Sequence, residues 1–551
     1  MSNNPRPSDD PNAENIRRLR GWGCLLPIAK VRGENRSSYR ILWRQLGFQV
    51  ALTLAAIWTA AALSAWALAK HGRGIAEARF VDVLLPSRWE NFHRAAGDHA
   101  IALAEQQLAA DHGAQAVFHL RHGLAKSPGN LRGRLLLADI YARNARSDEA
   151  RQLLLDGFQH AYRDARYLRD AFAFLLQRQE DELVQSYART LLDDPALPAA
   201  SAAVAAHAAA TAAFLRGHFD RAEDVLETQQ LSATHDGRLL RARMAWERGY
   251  RELALIQIRA LAAEFPSSDI ARAQLRQWVL VQGDHDEFRR LALLEKITHP
   301  EDSTARIDLL GALRTTAPES FAAELELFFH DFARDETALV LLANFAASTV
   351  DPALAARVHD HCVAFALPHD ATALLHAETL IAAREFHRAL DHIRSLLDTD
   401  RSSGQRQRAL LNGLQAIAHH GLGDPAVAEL YLRNFLSQPQ PRAETYLAVA
   451  ERLLDLGARD HARETLARAV DADPLNQPAL TRLIELDLAL DRPEALPRHL
   501  ARLLTMRRPA PAVLRGAYAR LASDESLPLT ERETTLSSLA HVLAATAPVT
   551  Q

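Results

Sequence analysis

Apolar and polar positions along most of this chain recur with a helical period, and between Ala443 and Asn476 the pattern is sharpest. Apolar or small side chains stand at Tyr446, Val449, Ala450, Leu453 and Leu454, an i, i+3, i+4, i+7 face that predicts one amphipathic helix. Gly457 ends that face, where a left-handed C-terminal residue costs least. A second face runs through Ala462, Leu466, Ala469 and Val470 until Pro474 stops it. The stretch predicts two short helices joined by a tight turn. One such hairpin cannot bury both of its faces, so the rest of the chain must supply neighbours.

The N-terminal pattern is different. Residues 1–15 are polar and rich in Pro, Asn and Asp, a composition that predicts disorder. Residues 16–44 are basic, with Arg17, Arg18, Arg20, Lys30, Arg32, Arg36, Arg40 and Arg44. From Gln45 to Ala69 no charged residue occurs. As a helix this run is about 36 Å long, enough to cross a hydrocarbon core of about 30 Å. Trp43 and Trp66 lie near its two ends, where aromatic belts form. The basic side precedes the span, whereas Lys70, Arg73, Arg79 and Arg88 after it are mixed with Glu77 and Asp82. The positive-inside bias therefore predicts a cytoplasmic N-terminus and a C-terminal part beyond a bacterial inner membrane. Ala67-Leu68-Ala69 mimics a cleavage site, but the apolar run exceeds a signal peptide's usual core, which favours an uncleaved signal anchor. Gly47, Ala51, Ala55 and Thr59 recur every fourth residue, a small-residue stripe that allows two such helices to pair as a homodimer.

Beyond a connecting segment at 70–96, the helical pattern repeats. Small residues fall at the eighth and twentieth places of successive units: Ala104 and Ala116, Ala138 and Ala150, Ala242 and Ala254, Ala450 and Ala462. Pro128, Pro266 and Pro474 close three of these units, and Pro300 follows Pro266 by 34 residues. These units resemble tetratricopeptide repeats, in which small residues let helix backbones approach closely. The resemblance covers roughly residues 97–506, with an irregular joint at 301–369 where the signature fades and Phe321, Phe328, Phe329 and Phe332 cluster. Ser402, Ser403 and Gly404 suggest a loop, and Pro493 and Pro497 weaken a late helix. Residues 507–551 are expected to cap the stack. The implied fold is an all-α, helix-turn-helix solenoid, wound as a right-handed superhelix and preceded by one transmembrane helix.

Composition agrees with that picture. Apolar residues make up 48% of the chain but aromatic ones only 6%, an Ala/Leu-rich balance that favours helices over strands. With a net charge of -4, nothing suggests a nucleic-acid footprint, which would need a strongly basic face. Cys24 and Cys362 fall on opposite sides of the apolar run, which excludes a disulfide between them.

Catalytic constellations are missing from the sequence: no phosphate-cradling glycine loop, no nucleophile elbow and no His-Glu-x-x-His. His359-Asp360-His361-Cys362, with His369 nearby, is the best metal candidate, but His361 would leave the face that His359 and Cys362 share. His119 and His122 share a face without a third ligand. No cofactor and no metal are expected, nor an enzyme.

Action through a surface remains. In the family resembled, the first helix of each unit lines a concave groove that takes a peptide or partner helix. Carried onto this chain, the groove positions are Arg132, Leu135, Asp139 and Ala142; Asp236, Leu239, Arg243 and Trp246; and Glu444, Leu447, Glu451 and Leu454. The family's carboxylate clamp uses Lys and Asn, which these positions lack, so that specificity does not carry over. Arg243 and Trp246 are the pair most suited to a binding hot spot. The sequence thus points to a membrane-anchored scaffold for protein partners that organises an envelope assembly such as secretion, pilus or polysaccharide machinery. Two rivals are a cytoplasm-facing adaptor for a soluble enzyme and an enzyme of unrecognised type.

Overall fold

Helices dominate because Ala, Leu, Arg and Glu fill most positions and each helical segment carries one apolar face. The computed structural model describes residues 16–21, 24–32, 37–41, 43–110, 112–144, 146–161, 164–399, 401–438, 441–523 and 529–546. The expectation of disorder at residues 1–15 lies outside these. Contacts divide the chain into two units, Met1–Ala161 and Tyr162–Gln551.

The first unit opens with three short strands, Ile16–Gly21, Cys24–Arg32 and Ser37–Ile41, paired antiparallel in chain order. Ile16 faces Val31 across the first pair, and Ile28 faces Ile41 across the second. Charge dominates the sequence of this segment and conceals its β-branched residues, whose strand preference the structure expresses. The apolar run forms the helix Trp43–Ala67, continued by a wider π turn at Leu68–Gly72. Among the described residues one helix, Leu46–Gly72, is long and apolar enough to cross a membrane, and only 6% of its apolar window is buried.

The connecting segment is anchored rather than loose. Ala69, Ile75 and Ala78 are buried with Trp66, Phe92, Ala95 and Ala96 packed against them, which ties the end of the apolar helix to the first repeat helix. Two helix hairpins follow, Trp89–Ala109 with Gly113–Lys126 and Leu131–Arg143 with Ser147–Ala161. Where the first hairpin crosses, a Cβ on Gly97 would lie 2.6 Å from the Gly123 carbonyl oxygen, so the two backbones touch and only glycine fits.

The second unit is a longer run of hairpins whose small residues sit at the crossings. Ala210 and Ala222, Ala242 and Ala254, Ala377 and Ala389, and Ala450 and Ala462 are all fully buried. Most hairpin turns of this unit use one left-handed residue to send the chain back. Gly249 and Gly283 are two such positions 34 residues apart, as are Val350 and Arg384, Gly423 and Gly457, and Gly457 and Asp491. The repeat is therefore written in the backbone as well as in the side chains. Around the faded signature the helices are of ordinary length: Ser303–Thr316, Pro318–Asp331, Glu336–Ser348 and Pro352–Ala364. Phe328, Phe329 and Phe332 are core there, packed with Leu339 and Leu342. Ser402–Gly404 is not a loop but lies within the helix Arg401–Gly421. Before the helix Leu496–Leu504, Pro493–Ala495 forms a 3-10 turn.

This run returns on itself. Gln179 donates to the Leu475 carbonyl at 3.0 Å, and Arg216 donates to that of Thr505 at 3.0 Å. Arg507 reaches Asp181, and Arg508 reaches Glu247 at 2.9 Å. These contacts span between 261 and 326 residues of chain and close the unit's concave side into a bowl.

Candidate functional site

First helices of the hairpins line the bowl, since the second helices pack behind them. At one end Phe214, Trp246, Trp278 and Val281 surround a cleft of about 300 Å³ with Arg243, Gln277 and Arg508. Trp246 and Trp278 stack in parallel with ring centroids 4.6 Å apart, an arrangement that adds to their apolar burial. Arg243 donates to Gln274 Oε1 at 3.1 Å, and burial lowers the pKa of its guanidinium. Arg508 lies over the Phe214 ring at 5.3 Å.

At the other end a hollow of about 570 Å³ is floored by Leu410, Leu414, Ile417 and Leu454 and edged by Glu378, Glu451 and Arg482. Burial raises the pKa of Glu378, with Arg452 opposing. A third hollow of about 690 Å³ joins the two, because Glu451, Arg482 and Arg508 line it as well, together with Arg507 and Glu485. The surface is continuous: an aromatic station, a charged middle and an aliphatic station. Its apolar stations are flanked by charged side chains, Arg243 and Arg508 at one end and Glu378, Glu451 and Arg482 at the other.

The sequence-derived positions divide. Arg243 and Trp246 line the aromatic station, and Glu451 and Leu454 the aliphatic one. Leu447 and Glu444 border another cleft of about 320 Å³ with Gln179 and Asn476. Leu239 is 7% exposed and belongs to the core, so it is corrected from groove to packing residue. Its helix, His235–Glu247, buries Leu239 and Leu240 side by side, and periodicity alone cannot assign such neighbours to one face. Asp236 is exposed and contacts His235 at 2.9 Å. In the first unit Arg132 pairs with Glu105 at 2.6 Å and Asp139 with Arg143 at 2.8 Å, while Leu135 and Ala142 are half-buried.

Trp278, Gln277, Glu378, Arg482, Glu485, Arg507 and Arg508 escaped the sequence reading. Part of the signal was present. Arg243, Gln277, Glu378, Glu451 and Glu485 all occupy the ninth place of a unit, so applying the same rule to every hairpin finds three more of them.

The histidine candidate resolves differently from its spacing. His361 contacts the Ala333 carbonyl at 2.9 Å and stacks on Phe365, away from His359. His359 instead meets His369, His376 and His392, with centroids 5.7, 6.3 and 5.4 Å away. Burial lowers the pKa of His359 and His392, and that of His376 to about 4. Among the described residues no three His, Cys, Asp or Glu side chains are grouped to hold a metal ion. Cys362 is buried and unpaired beside them.

The tetratricopeptide repeat family matches residues 107–169. That stretch holds the second helix of the first hairpin, the whole of the next, and the start of the second unit. Among curated proteins there is no match. Solved structures that the chain resembles include Naa15/Naa10 bound to HypK-THB, at 15% identity and a TM-score of 0.30 over 89% of this chain and 76% of that one. The APC/C hetero-tetramer Cut9-Hcn1 follows at 12% and 0.25, over 81% and 94%. A tetratricopeptide repeat protein from Parabacteroides merdae gives 14% and 0.27, over 46% and 98%. Beyond the N-terminal strands the fold is an all-α array of helix hairpins of the tetratricopeptide type.

Proposed function

We propose that this protein is a non-catalytic scaffold that binds protein partners through the bowl of its second unit. The observation that carries the reading is the continuous concave surface from Trp246 to Leu454, apolar at both ends and charged between. The repeat-type fold supports it, because helix-hairpin arrays characteristically present such surfaces to peptides and helices. Arg243, Trp246, Glu451 and Leu454 are assigned to the contact, with Leu447 at its margin. Arg132, Leu135 and Asp139 form a separate patch on the first unit.

The helix Trp43–Ala67 anchors the scaffold in the membrane by its apolar, exposed length. The basic segment before it supports a cytoplasmic N-terminus, with the repeats beyond a bacterial inner membrane organising an envelope assembly. The exposed stripe Gly47, Ala51, Ala55 and Thr59 is where two copies of the anchor would pair. The charges after the span, Lys70, Arg73, Arg79 and Arg88, favour a second reading in which the repeats face the cytoplasm and recruit a soluble enzyme. A C-terminal reporter active on only one side of the membrane separates the two topologies.

The binding reading is tested by affinity capture of the full-length protein from gently solubilised membranes, alongside an Arg243→Glu/Trp246→Ala variant. Loss of a specific polypeptide from the variant alone supports it. An unchanged set of captured polypeptides removes the aromatic station from the binding surface.

A further inference from the structure

The apolar run is long enough to cross a membrane along its whole length, yet contacts along it bear on where the crossing ends. Trp58, near the middle of the run, donates its indole N–H to the Leu84 carbonyl at 2.8 Å and stacks on Trp89 with centroids 6.1 Å apart. Trp66 donates to the Ala78 carbonyl at 2.9 Å and meets the edge of Phe80 at 6.2 Å. The connecting segment thus folds back along the helix, and Leu84 lies at the level of Trp58. That level is about 14 Å before the end of the helix at Ala67, from the rise per residue. If hydrocarbon covered the whole run, Trp89 would be drawn to mid-bilayer together with its exposed neighbours Arg88 and Glu90. Charges at that depth are strongly disfavoured.

We infer that the hydrocarbon boundary on this side passes at Trp58 and Trp89, and that Phe80–Trp89 forms a collar immersed in the lipid interface. The exposed side chains fit the assignment. Val81, Leu85, Trp58 and Trp89 are between 41% and 43% exposed, so apolar surface is presented along the connector as it runs from Trp66 to Trp58. Val81 and Leu85 are one helical turn apart and share a face. Trp89 satisfies its own indole on the Val83 carbonyl at 3.0 Å, which leaves the ring free to lie among lipid chains. Arg79 and Arg88 flank the collar and are exposed, as cations reaching headgroups would be. Trp43 to Trp58 then spans about 22 Å, a short crossing that local thinning of the bilayer accommodates. The last turns of the helix, wrapped by the connector, become a rigid stalk that fixes the first repeat against the membrane. The inference rests on the membrane-anchor reading and adds a depth to it.

The test uses full-length protein with a single tryptophan, at 58 or at 89 and phenylalanine at the other tryptophan positions. The protein is reconstituted in phosphatidylcholine/phosphatidylglycerol vesicles whose lipids carry bromine high on the acyl chains or near the chain ends. Both tryptophans should be quenched more by the high bromines. A Val81→Glu/Leu85→Glu variant should lose quenching of Trp89 several-fold with unchanged helix content. Trp58 quenched most by deep bromines with Trp89 untouched would overturn the collar and leave the anchor standing. Quenching of neither would overturn both.

Discussion

Arg507 holds Asp181 through two guanidinium nitrogens, at 2.8 and 2.5 Å, across 326 residues of sequence. The same guanidinium also donates to the Leu176 carbonyl. The Asp181 side chain is fully buried, and Arg216 stands 3.7 Å from it on the other side. Bidentate geometry makes this one of the stronger forms of ion pair, and it ties an early helix of the second unit to the loop after Leu496–Leu504. Replacing Arg507 with Ala leaves a buried carboxylate with only the more distant Arg216. The expected loss is about 3 kcal/mol of unfolding free energy. Small-angle scattering should also show an expanded second unit, and Asp181→Asn in the same chain should restore part of the stability.

Arg306 presents a second buried charge. Its side chain is 2% exposed and contacts Glu324 at 2.6 Å and Asp331 at 2.9 Å, while Lys296 reaches Glu324 from the preceding hairpin. Arg306→Met should cost about 3 kcal/mol in urea unfolding, because Glu324 keeps only Lys296. The loss should be nearly the same at low and high salt, since buried pairs are poorly screened. Pairing the change with Glu324→Gln should recover much of it.

Val350 adopts a φ of 51°, at a hairpin turn that glycine fills elsewhere. A β-branched residue is strained in this left-handed conformation. Val350→Gly should therefore raise stability by about 1 kcal/mol, read as a higher urea midpoint. The reverse change at an equivalent turn, Gly457→Val, should lower it by a similar amount, because Gly457 has a φ of 80°.

His376 is 9% exposed, has no hydrogen-bond partner on either ring nitrogen, and has its pKa lowered to about 4 by burial and by His392 and His359. A depressed histidine pKa means that the unfolded chain binds the proton more readily. Stability is therefore full above the ordinary histidine range and falls as pH drops from about 6.5 toward 4. Unfolding monitored across that window should show the decline, and His376→Gln should flatten it.

Much of the fold was legible because its logic is local. Ala450, Gly457, Ala462 and Pro474 mark two helices, a turn and a stop within one window, and the structure places helices at Ala443–Asp455 and Arg459–Ala472 with a left-handed Gly457 between them. Within the faded stretch at 301–369, the hairpin of Ser303–Thr316 and Pro318–Asp331 hides the signature because its core holds Leu310, Phe328 and the buried Arg306, whereas the next hairpin keeps a fully buried small pair at Ala343 and Ala355. Ser402–Gly404 misled because turn-forming residues also sit in a helix when its neighbours hold it. The bowl was only partly legible. Arg243 and Glu451 follow from position within a unit, whereas Arg507 and Arg508 reach it from a loop after the last clear repeat. No local pattern announces contacts made across some 300 residues.

The central claim is that partners bind inside the bowl, and site-specific photocrosslinking in intact cells tests it most directly. A photoreactive residue would replace Gln277 or Glu451 inside the bowl, or the exposed Ile256 or Leu294 on the second helices of their hairpins. The account predicts one shared polypeptide crosslinked from both inner positions and from neither outer one. Crosslinks confined to Ile256 and Leu294 would contradict it.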